Sequence, residues 1–245
     1  MRTVITGGAN GLGRALALAA QAAGHEVVAV DHAEAALSEL PVAGLALDLT
    51  GADAPARIAA LGPIDLIIHS AGISGTGPFE AIPPEHHARI LDLNFRAPLA
   101  ITAHLLAEGA LAQGSTHAFV ASLSRFTGYP GAVSYAASKD GLASFARSLD
   151  KALPRGQRAA VIYPGPLATE HAARYAPDNS ARTVAARLDP ARAAEIILKG
   201  LAQGRRTIIP GGKAKLMAAA GVLAPGPVGR LLRKGLYEKL PEAKL

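Results

Sequence analysis

The sequence predicts an α/β fold, a doubly wound parallel sheet of about seven strands with helices on both faces, folded as a single domain. Two observations carry that expectation. Short β-branched apolar runs alternate along the chain with longer runs rich in alanine and leucine. The strand-like runs also lack the polar alternation of a half-exposed sheet, so both of their faces should be covered, as in parallel sheets. A composition of 50% hydrophobic and 18% charged residues suits a packed globular core.

The elements follow in order. Thr3–Thr6 reads as the first strand, Gly13–Ala23 as a helix stopped by Gly24, and His25–Val30 as the second strand. Leu45–Leu47 is the third strand, ending at Asp48, and Pro55–Leu61 is a helix before the fourth strand, Asp65–His69. A loop over 70–77 leads to a long helical stretch from about Pro84 to Leu111, then to a fifth strand, His117–Ala121. A helix from near Ser134 to about Leu153 precedes the sixth strand, Ala159–Tyr163. Residues 166–188 are polar and irregular in pattern, Pro190–Gly200 is a helix, and Arg206–Ile209 is the seventh strand. Right-handed crossovers wind such units into two halves.

The first turn reads Thr6-Gly7-Gly8-Ala9-Asn10-Gly11-Leu12-Gly13. Glycines there permit positive φ and let the backbone approach a pyrophosphate, at which the next helix aims its N-terminal amides. A glycine turn alone serves any tight strand–helix corner. Its place between the first strand and helix points to a Rossmann-type dinucleotide site. Asp31 closes the second strand, twenty residues beyond Gly11, where a carboxylate accepts from the adenosine ribose hydroxyls and repels a 2′-phosphate. NAD is therefore expected over NADP, with Arg14 as the residue that argues the other way. Asp48 and Leu49 follow the third strand and are expected at the adenine edge, although an aspartate there is also an ordinary helix cap.

Tyr135 and Lys139 stand four apart, on one face of a helix. A phenol with a free pKa of about 10 is a poor base at neutral pH, and an adjacent ammonium lowers that value. The pair alone would be a surface helix pair. Ser122, at the end of the fifth strand, adds a hydroxyl suited to a substrate carbonyl or alkoxide.

This combination resembles the short-chain dehydrogenase/reductase family over about residues 3–210, with the motifs in the family's order and spacing. The glycine turn matches the family's T-G-x-x-x-G-x-G, and Ser122, Tyr135 and Lys139 match its serine, tyrosine and lysine. Asn94 matches its helix asparagine, and Pro164-Gly165-Pro166-Leu167-Ala168-Thr169 its P-G-x-x-x-T. The family's N-N-A-G is His69-Ser70-Ala71-Gly72 here, so Ser70 offers one hydrogen bond where an asparagine would make more. The resemblance implies an oxidoreductase that interconverts a secondary alcohol and a ketone by hydride transfer. Tyr135 would be the acid/base, Ser122 the holder of the substrate oxygen, and Lys139 the group that lowers the Tyr135 pKa. Asn94 would carry a relay water. The cofactor would be held by Thr6, Gly7, Asn10, Gly11, Leu12, Gly13, Asp31, Asp48, Leu49, Ser70, Ala71, Gly72, Tyr135, Lys139, Pro164, Gly165, Leu167 and Thr169. The Leu167 backbone and the Thr169 hydroxyl would meet the carboxamide. His69 is expected to be structural.

The substrate pocket is expected at the strand carboxyl ends, lined by Ile73, Leu123, Ser124, Tyr129, Pro166 and Leu167. Ser124, Tyr129 and Pro166 are the residues expected to bind substrate. Residues 170–188 are expected as a lid, whose Arg174, Arg182 and Arg187 with Glu170 and Asp178 read as a solvated face. Residues 1–210 then form the dinucleotide-binding and catalytic domain, and 211–245 an extension packed on the same domain or a neighbouring subunit. That tail joins an apolar run, Leu216–Leu223, to Arg230-Leu231-Leu232-Arg233-Lys234, so a lipid-touching amphipathic segment is the less favoured alternative.

No cysteine is present, which removes disulfides and thiolate chemistry and suits a cytoplasmic protein. No leader peptide or membrane span is expected. The net charge of +6 reads as a solvated basic surface, with no nucleic-acid partner. Histidines 25, 32, 86, 87, 104, 117 and 171 are taken as surface or helix residues, and no metal site is expected. The partners expected are a small alcohol or ketone and, by resemblance, further copies in a homodimer or homotetramer. The competing readings are an NADPH-dependent ketone or acyl reductase on the same scaffold and an NAD-binding regulator without turnover.

Overall fold

Val4 and Ile5 sit side by side in the first strand and are both fully buried, pointing into opposite layers of the molecule. That is the signature of a strand covered on both faces. The structure, a computed structural model, describes residues 1–176, 180–240 and 242–245; Asp178 lies outside them, as does the side chain of Arg182.

The strands are β1 (Arg2–Thr6), β2 (Glu26–Asp31), β3 (Ala43–Ala46), β4 (Ile64–His69), β5 (Leu111–Val120), β6 (Arg158–Ile162) and β7 (Thr207–Ile208). They form one seven-stranded sheet in the order β3-β2-β1-β4-β5-β6-β7. Every pairing is parallel. The strand order reverses between β1 and β4, so the crevice outside their carboxyl ends is the switch point of the fold.

On one face α1 (Gly11–Ala22) and α10 (Pro190–Ala202) cover Ile5, Ile68, Val120 and Ile162. On the other, α3 (Ala54–Ala59) and α5 (Ala97–Ala107) cover Val4, Val30 and Ile67, while α7 (Val133–Ala152) covers Phe119 and Val161. A short α2 (Glu34–Ser38), invisible in the periodicity, joins β2 to β3.

The expected helix over 84–111 is three pieces. α4 (Pro84–Leu91) passes through a π turn, Asp92–Arg96, into α5. α5 stops at Ala107 because Gly109 takes φ 63°, and Ala110 N–H donates back to the Leu105 carbonyl at 3.1 Å, a Schellman closure. Leu111, expected to end that helix, opens β5 instead. The polar run Gln113–Thr116 and a bulge opposite Ile64–Leu66, with Gly114 at φ 83°, hide the first half of β5 from pattern reading. The segment over 166–188, read as irregular, holds α8 (Glu170–Tyr175) and α9 (Ala181–Ala185), and α6 (Ser124–Thr127) follows β5.

The tail forms α11 (Gly212–Leu223) and α12 (Pro225–Gly235), followed by a 3₁₀ turn, Tyr237–Lys239. Ala214, Ala218 and Gly221 of α11 are buried, and a Cβ on Gly221 would overlap the Phe126 carbonyl. Leu240 packs on Gly131, and Lys244 bridges antiparallel to Thr76. Among the described residues no helix is long and apolar enough to cross a membrane.

Candidate active site

The glycine turn is fixed by close approach. Gly7, at φ 67°, lies so near the chain after β4 that an added Cβ would sit 2.7 Å from the Cα of Ala71. A Cβ on Gly13 would overlap the Gly7 carbonyl oxygen, so α1 enters at its angle only with glycine there. The Thr6 hydroxyl, 1% exposed, receives the N–H groups of Ser70 at 3.2 Å and Ala71 at 3.4 Å, tying the ends of β1 and β4. Asn10, the residue before α1, makes no side-chain cap bond, and the first turn holds no acidic residue. The leading amides of α1, Leu12 among them, are thus left for an anion. Gly11 faces Thr169 across the cleft, with 3.5 Å from its ideal Cβ to the Thr169 Cγ2.

Asp31 is 8% exposed at the end of β2. Its carboxylate accepts from Ala9 N–H at 3.1 Å and Ala33 N–H at 3.2 Å, and His32 Nδ1 lies 3.1 Å away. It braces the glycine turn while keeping acceptor capacity, since a carboxylate offers about four lone-pair sites. The Leu47 amide donates to the Asp31 carbonyl at 2.8 Å, which brings Asp48 beside it. Asp48 is exposed, and the Thr50 backbone and hydroxyl hold its carboxyl below the usual range. Leu49 is buried in the layer beneath α3.

Ser122 follows β5, and its hydroxyl stands near enough to the Tyr135 phenol, on the first turn of α7, to favour the phenolate. Lys139, one turn on, is 3% exposed; its Nζ lies 6.0 Å from the Tyr135 ring centroid and donates to the Val120 carbonyl at 2.9 Å. Burial holds Lys139 down to about 8. Burial also pushes Tyr135 up to about 12, against the effect of Ser122 and with help from Tyr129. Taking the phenolate out of water outweighs the Ser122 contribution, so the phenol is held in its protonated form.

Asn94 lies in the π turn, fully buried. Its Oδ1 accepts from Ile73 N–H at 2.9 Å, and its Nδ2 donates to the Ile73 carbonyl at 2.9 Å and the Ser138 hydroxyl at 3.0 Å. Ser138 in turn donates to the Tyr135 carbonyl at 2.7 Å. Asn94 thus clamps the loop after β4 to the helix that carries Tyr135 and Lys139. A Cβ on Gly72 would lie 3.1 Å from both Asn94 Oδ1 and Lys139 Nζ. Ser138 escaped the sequence reading, although its place three residues after Tyr135 put it on the same helix face.

After β6, Pro164 accepts from Leu123 N–H at 3.3 Å, and Gly165 rests against Ala214 of the tail. Leu167 forms a parallel bridge to Leu188, in which Leu188 N–H donates to Pro166 and Ala168 N–H to Leu188. That leaves the Leu167 amide without a backbone partner among the described residues. Thr169 caps α8, its hydroxyl accepting from Ala172 N–H at 3.1 Å. Ser124 is buried, its hydroxyl without a partner among the described residues, and Tyr129 is half-buried with its pKa raised by burial, opposed by Arg187. Leu123, expected in the pocket wall, is turned into the core with Ala143 and Ala214.

Of the histidines read as surface or helix residues, His117 departs from that reading, while His86 and His171 lie on the helices α4 and α8. His86 is buried, with Nε2 2.9 Å from the Ser74 carbonyl, and His117 is fully buried in β5. His171 stands at the site, its ring 6.4 Å from Tyr135 and 4.9 Å from Tyr175. Although exposed at the rim, it is crowded by protein, and this burial, joined by the charges of Lys139 and Arg174, holds its pKa below the ordinary value. Sequence spacing gave no signal for it, because α8 brings it to Tyr135 from outside the α7 helix.

Residues 2–180 match the family model described as short chain dehydrogenase. An L-xylulose reductase of Mesocricetus auratus is 34% identical over 125 residues, 49% of this chain and 51% of that enzyme, so the match spans about half the length of that relative. An uncharacterized oxidoreductase of Myxococcus xanthus is 34% identical over 182 residues, 68% of this chain and 72% of that protein. A short chain dehydrogenase from Burkholderia cenocepacia, solved in complex with NADP, shares the fold at a TM-score of 0.79 and 24% identity, covering 95% of this chain and 96% of its own.

Proposed function

The chain belongs to the short chain dehydrogenase family, and from that premise we propose that it is an NAD(H)-dependent oxidoreductase interconverting a small secondary alcohol and its ketone. The observation that carries the proposal is that Ser122, Tyr135 and a buried Lys139 gather at the carboxyl end of β5, with the Lys139 Nζ on the Val120 carbonyl and 6.0 Å from the Tyr135 ring. The residues fit a dinucleotide. The cradle at Gly7 and Gly13 has no room for a side chain, α1 presents uncapped amides, and the Leu167 amide is unspent.

In this reading Gly7, Asn10, Gly11, Leu12 and Gly13 hold the pyrophosphate, Asp31 the adenosine ribose, and Asp48 with Leu49 the adenine edge. Ser70, Ala71, Gly72, Tyr135 and Lys139 border the second ribose, and Pro164, Gly165, Leu167 and Thr169 the carboxamide. When bound, the nicotinamide dinucleotide supplies or accepts the hydride. Ser122 donates to the substrate oxygen. Tyr135, protonated at neutral pH, gives its proton to a carbonyl oxygen during reduction and recovers it during oxidation. Lys139 keeps a positive charge beside that oxygen. Both N–H groups of the Asn94 side chain are committed, so a relay water on this residue would use the free lone pair of Oδ1 or the main-chain carbonyl. Ser124, Tyr129 and Pro166 border the substrate.

Asp31 favours NAD, because a 2′-phosphate would meet its carboxylate. Arg14, exposed and without an ion-pair partner among the described residues, is the specific observation behind an NADPH-dependent alternative. Residues 170–188 act as the lid of a domain spanning 1–210. We place the protein in the cytoplasm as a homodimer or homotetramer joined through α5 and α7. Fluorescence titration with NADH and NADPH, followed by an alcohol and ketone panel, tests the assignment. Tight NADH binding with turnover is expected. Binding without turnover across the panel would reduce the protein to a nucleotide-binding regulator.

A further inference from the structure

α11 is amphipathic in the wrong sense for a helix that ends its business on its own domain. Its buried stripe is small, Ala214, Ala218 and Gly221, while Leu216 is 73% exposed, Val222 63% and Leu223 84%. A helical repeat of 3.6 residues sets Leu216 and Leu223 opposite the buried stripe, with Lys213 and Lys215 along the two edges of that outward face. α12 continues the surface. It buries no residue, leaves Leu231 71% exposed, and turns Arg230 and Lys234 outward at a spacing of four. Among the described residues Lys213, Lys215, Arg230 and Lys234 enter no ion pair.

The charge is as uneven as the apolar surface. Residues 211–245 hold seven basic and two acidic side chains, so five of the chain's six net positive charges lie in this tail. Among the described residues, six of the eleven exposed large hydrophobic side chains also lie there: Leu216, Met217, Val222, Leu223, Leu231 and Leu245. Exposed leucines rimmed by unpaired cations need a cover that is apolar within and negative at its surface. A second copy would bring the same excess of positive charge against itself.

We propose that the α11–α12 hairpin docks the protein peripherally on an anionic lipid surface, with Leu216, Val222, Leu223 and Leu231 entering the acyl boundary and Lys213, Lys215, Arg230 and Lys234 at the headgroups. The lysine stems reach along the apolar face and leave their ammonium groups at headgroup level. The hairpin that carries the docked face adjoins the site through its opposite, buried side. α11 packs on α6, which begins two residues after Ser122, and Arg233 of α12 borders the same surface hollow as Tyr129. Docking would therefore hold the substrate mouth close to the membrane.

Flotation of the full chain with phosphatidylcholine vesicles, and with phosphatidylcholine vesicles containing phosphatidylglycerol, reads the proposal directly. Binding is expected to the anionic vesicles, at least tenfold weaker to the neutral ones, and released by salt. Replacing Lys213, Lys215, Arg230 and Lys234 by glutamine should weaken binding about fivefold per charge. The triple variant L216S/L223S/L231S should lose binding at least tenfold with an unchanged circular-dichroism melt, since these side chains support no core contact. No partition to anionic vesicles would overturn the proposal, and so would triple-variant binding equal to that of the parent chain. A wild-type dimer that the triple variant splits into monomers would also overturn it, by assigning the face to a second copy.

Discussion

In the proposed reaction Tyr135 is the acid/base, and its environment favours one protonation state. Burial pushes the phenol up to about 12, so below that pH it is an acid, ready to protonate a carbonyl oxygen. In the oxidising direction the phenolate fraction grows tenfold per pH unit below the pKa, so log kcat/KM for alcohol oxidation should rise with unit slope across the neutral range. A flat profile there would show that Tyr135 is not the base. Tyr135→Phe should lower turnover by about 10²–10⁴ in both directions while NADH titration stays unchanged; a variant with near-full activity would remove the phenol from the mechanism. At the other end of the cleft, Asp31→Asn keeps an acceptor for the Ala9 amide and deletes the charge. It should raise NADPH affinity relative to NADH by about tenfold, the effect of roughly 1.4 kcal/mol. An unchanged ratio of the two dissociation constants would give the choice of cofactor to another residue.

At the scale of elements, the chain was legible wherever one pattern governed one element. The strands flanking the switch point announce themselves because both faces are buried, and the glycine turn does so because only glycine fits between α1 and the chain after β4. Legibility failed where two effects share a stretch. Residues 84–107 carry an unbroken helical pattern, yet a π turn interrupts it at Asn94, because there the side chain must reach both Ile73 and Ser138. The first half of β5 is polar and bulged, so no apolar run marks it. Tyr135 and Lys139 could be paired from their spacing and Ser122 added from its place after the fifth strand, with the family resemblance supplying their expected roles. His171 and Ser138 could not be found that way, since the first reaches the site through tertiary packing and the second acts through a hydrogen bond to Asn94. Asn94→Ala should strand the Ile73 and Ser138 groups without partners. Each buried polar group left so costs about 1–3 kcal/mol, and a lowered melting temperature in calorimetry is the expected reading. An unshifted melt would mean the clamp contributes nothing to the fold.

The whole molecule carries a pH dependence written into its sheet. His69 in β4 stacks on Phe119 of β5 at 4.8 Å, and His117 lies two residues before Phe119 on the same strand. Both rings are buried, and both nitrogens of His117 lack hydrogen-bond partners among the described residues. Burial, joined for His69 by the neighbouring His117, holds His69 at about 3 and His117 at about 4 in the folded chain. In the unfolded chain both return to about 6.5. Between those limits the unfolded state binds more protons than the folded one, so stability rises with pH through the window from about 4 to 6.5 and is lost as pH falls through it. Above about 6.5 both states are neutral and the histidines add no slope. Each buried histidine contributes up to about 1.4 kcal/mol per pH unit within the window. His117→Leu places an apolar side chain among Phe119 and its neighbours and removes one titrating group. Urea midpoints measured from pH 7.5 down to pH 5 should fall less steeply for that variant than for the parent chain, with the two curves parallel above about pH 6.5. Parallel curves over the whole range would mean that His117 gains no proton on unfolding, and the acid sensitivity of the fold would have to reside elsewhere.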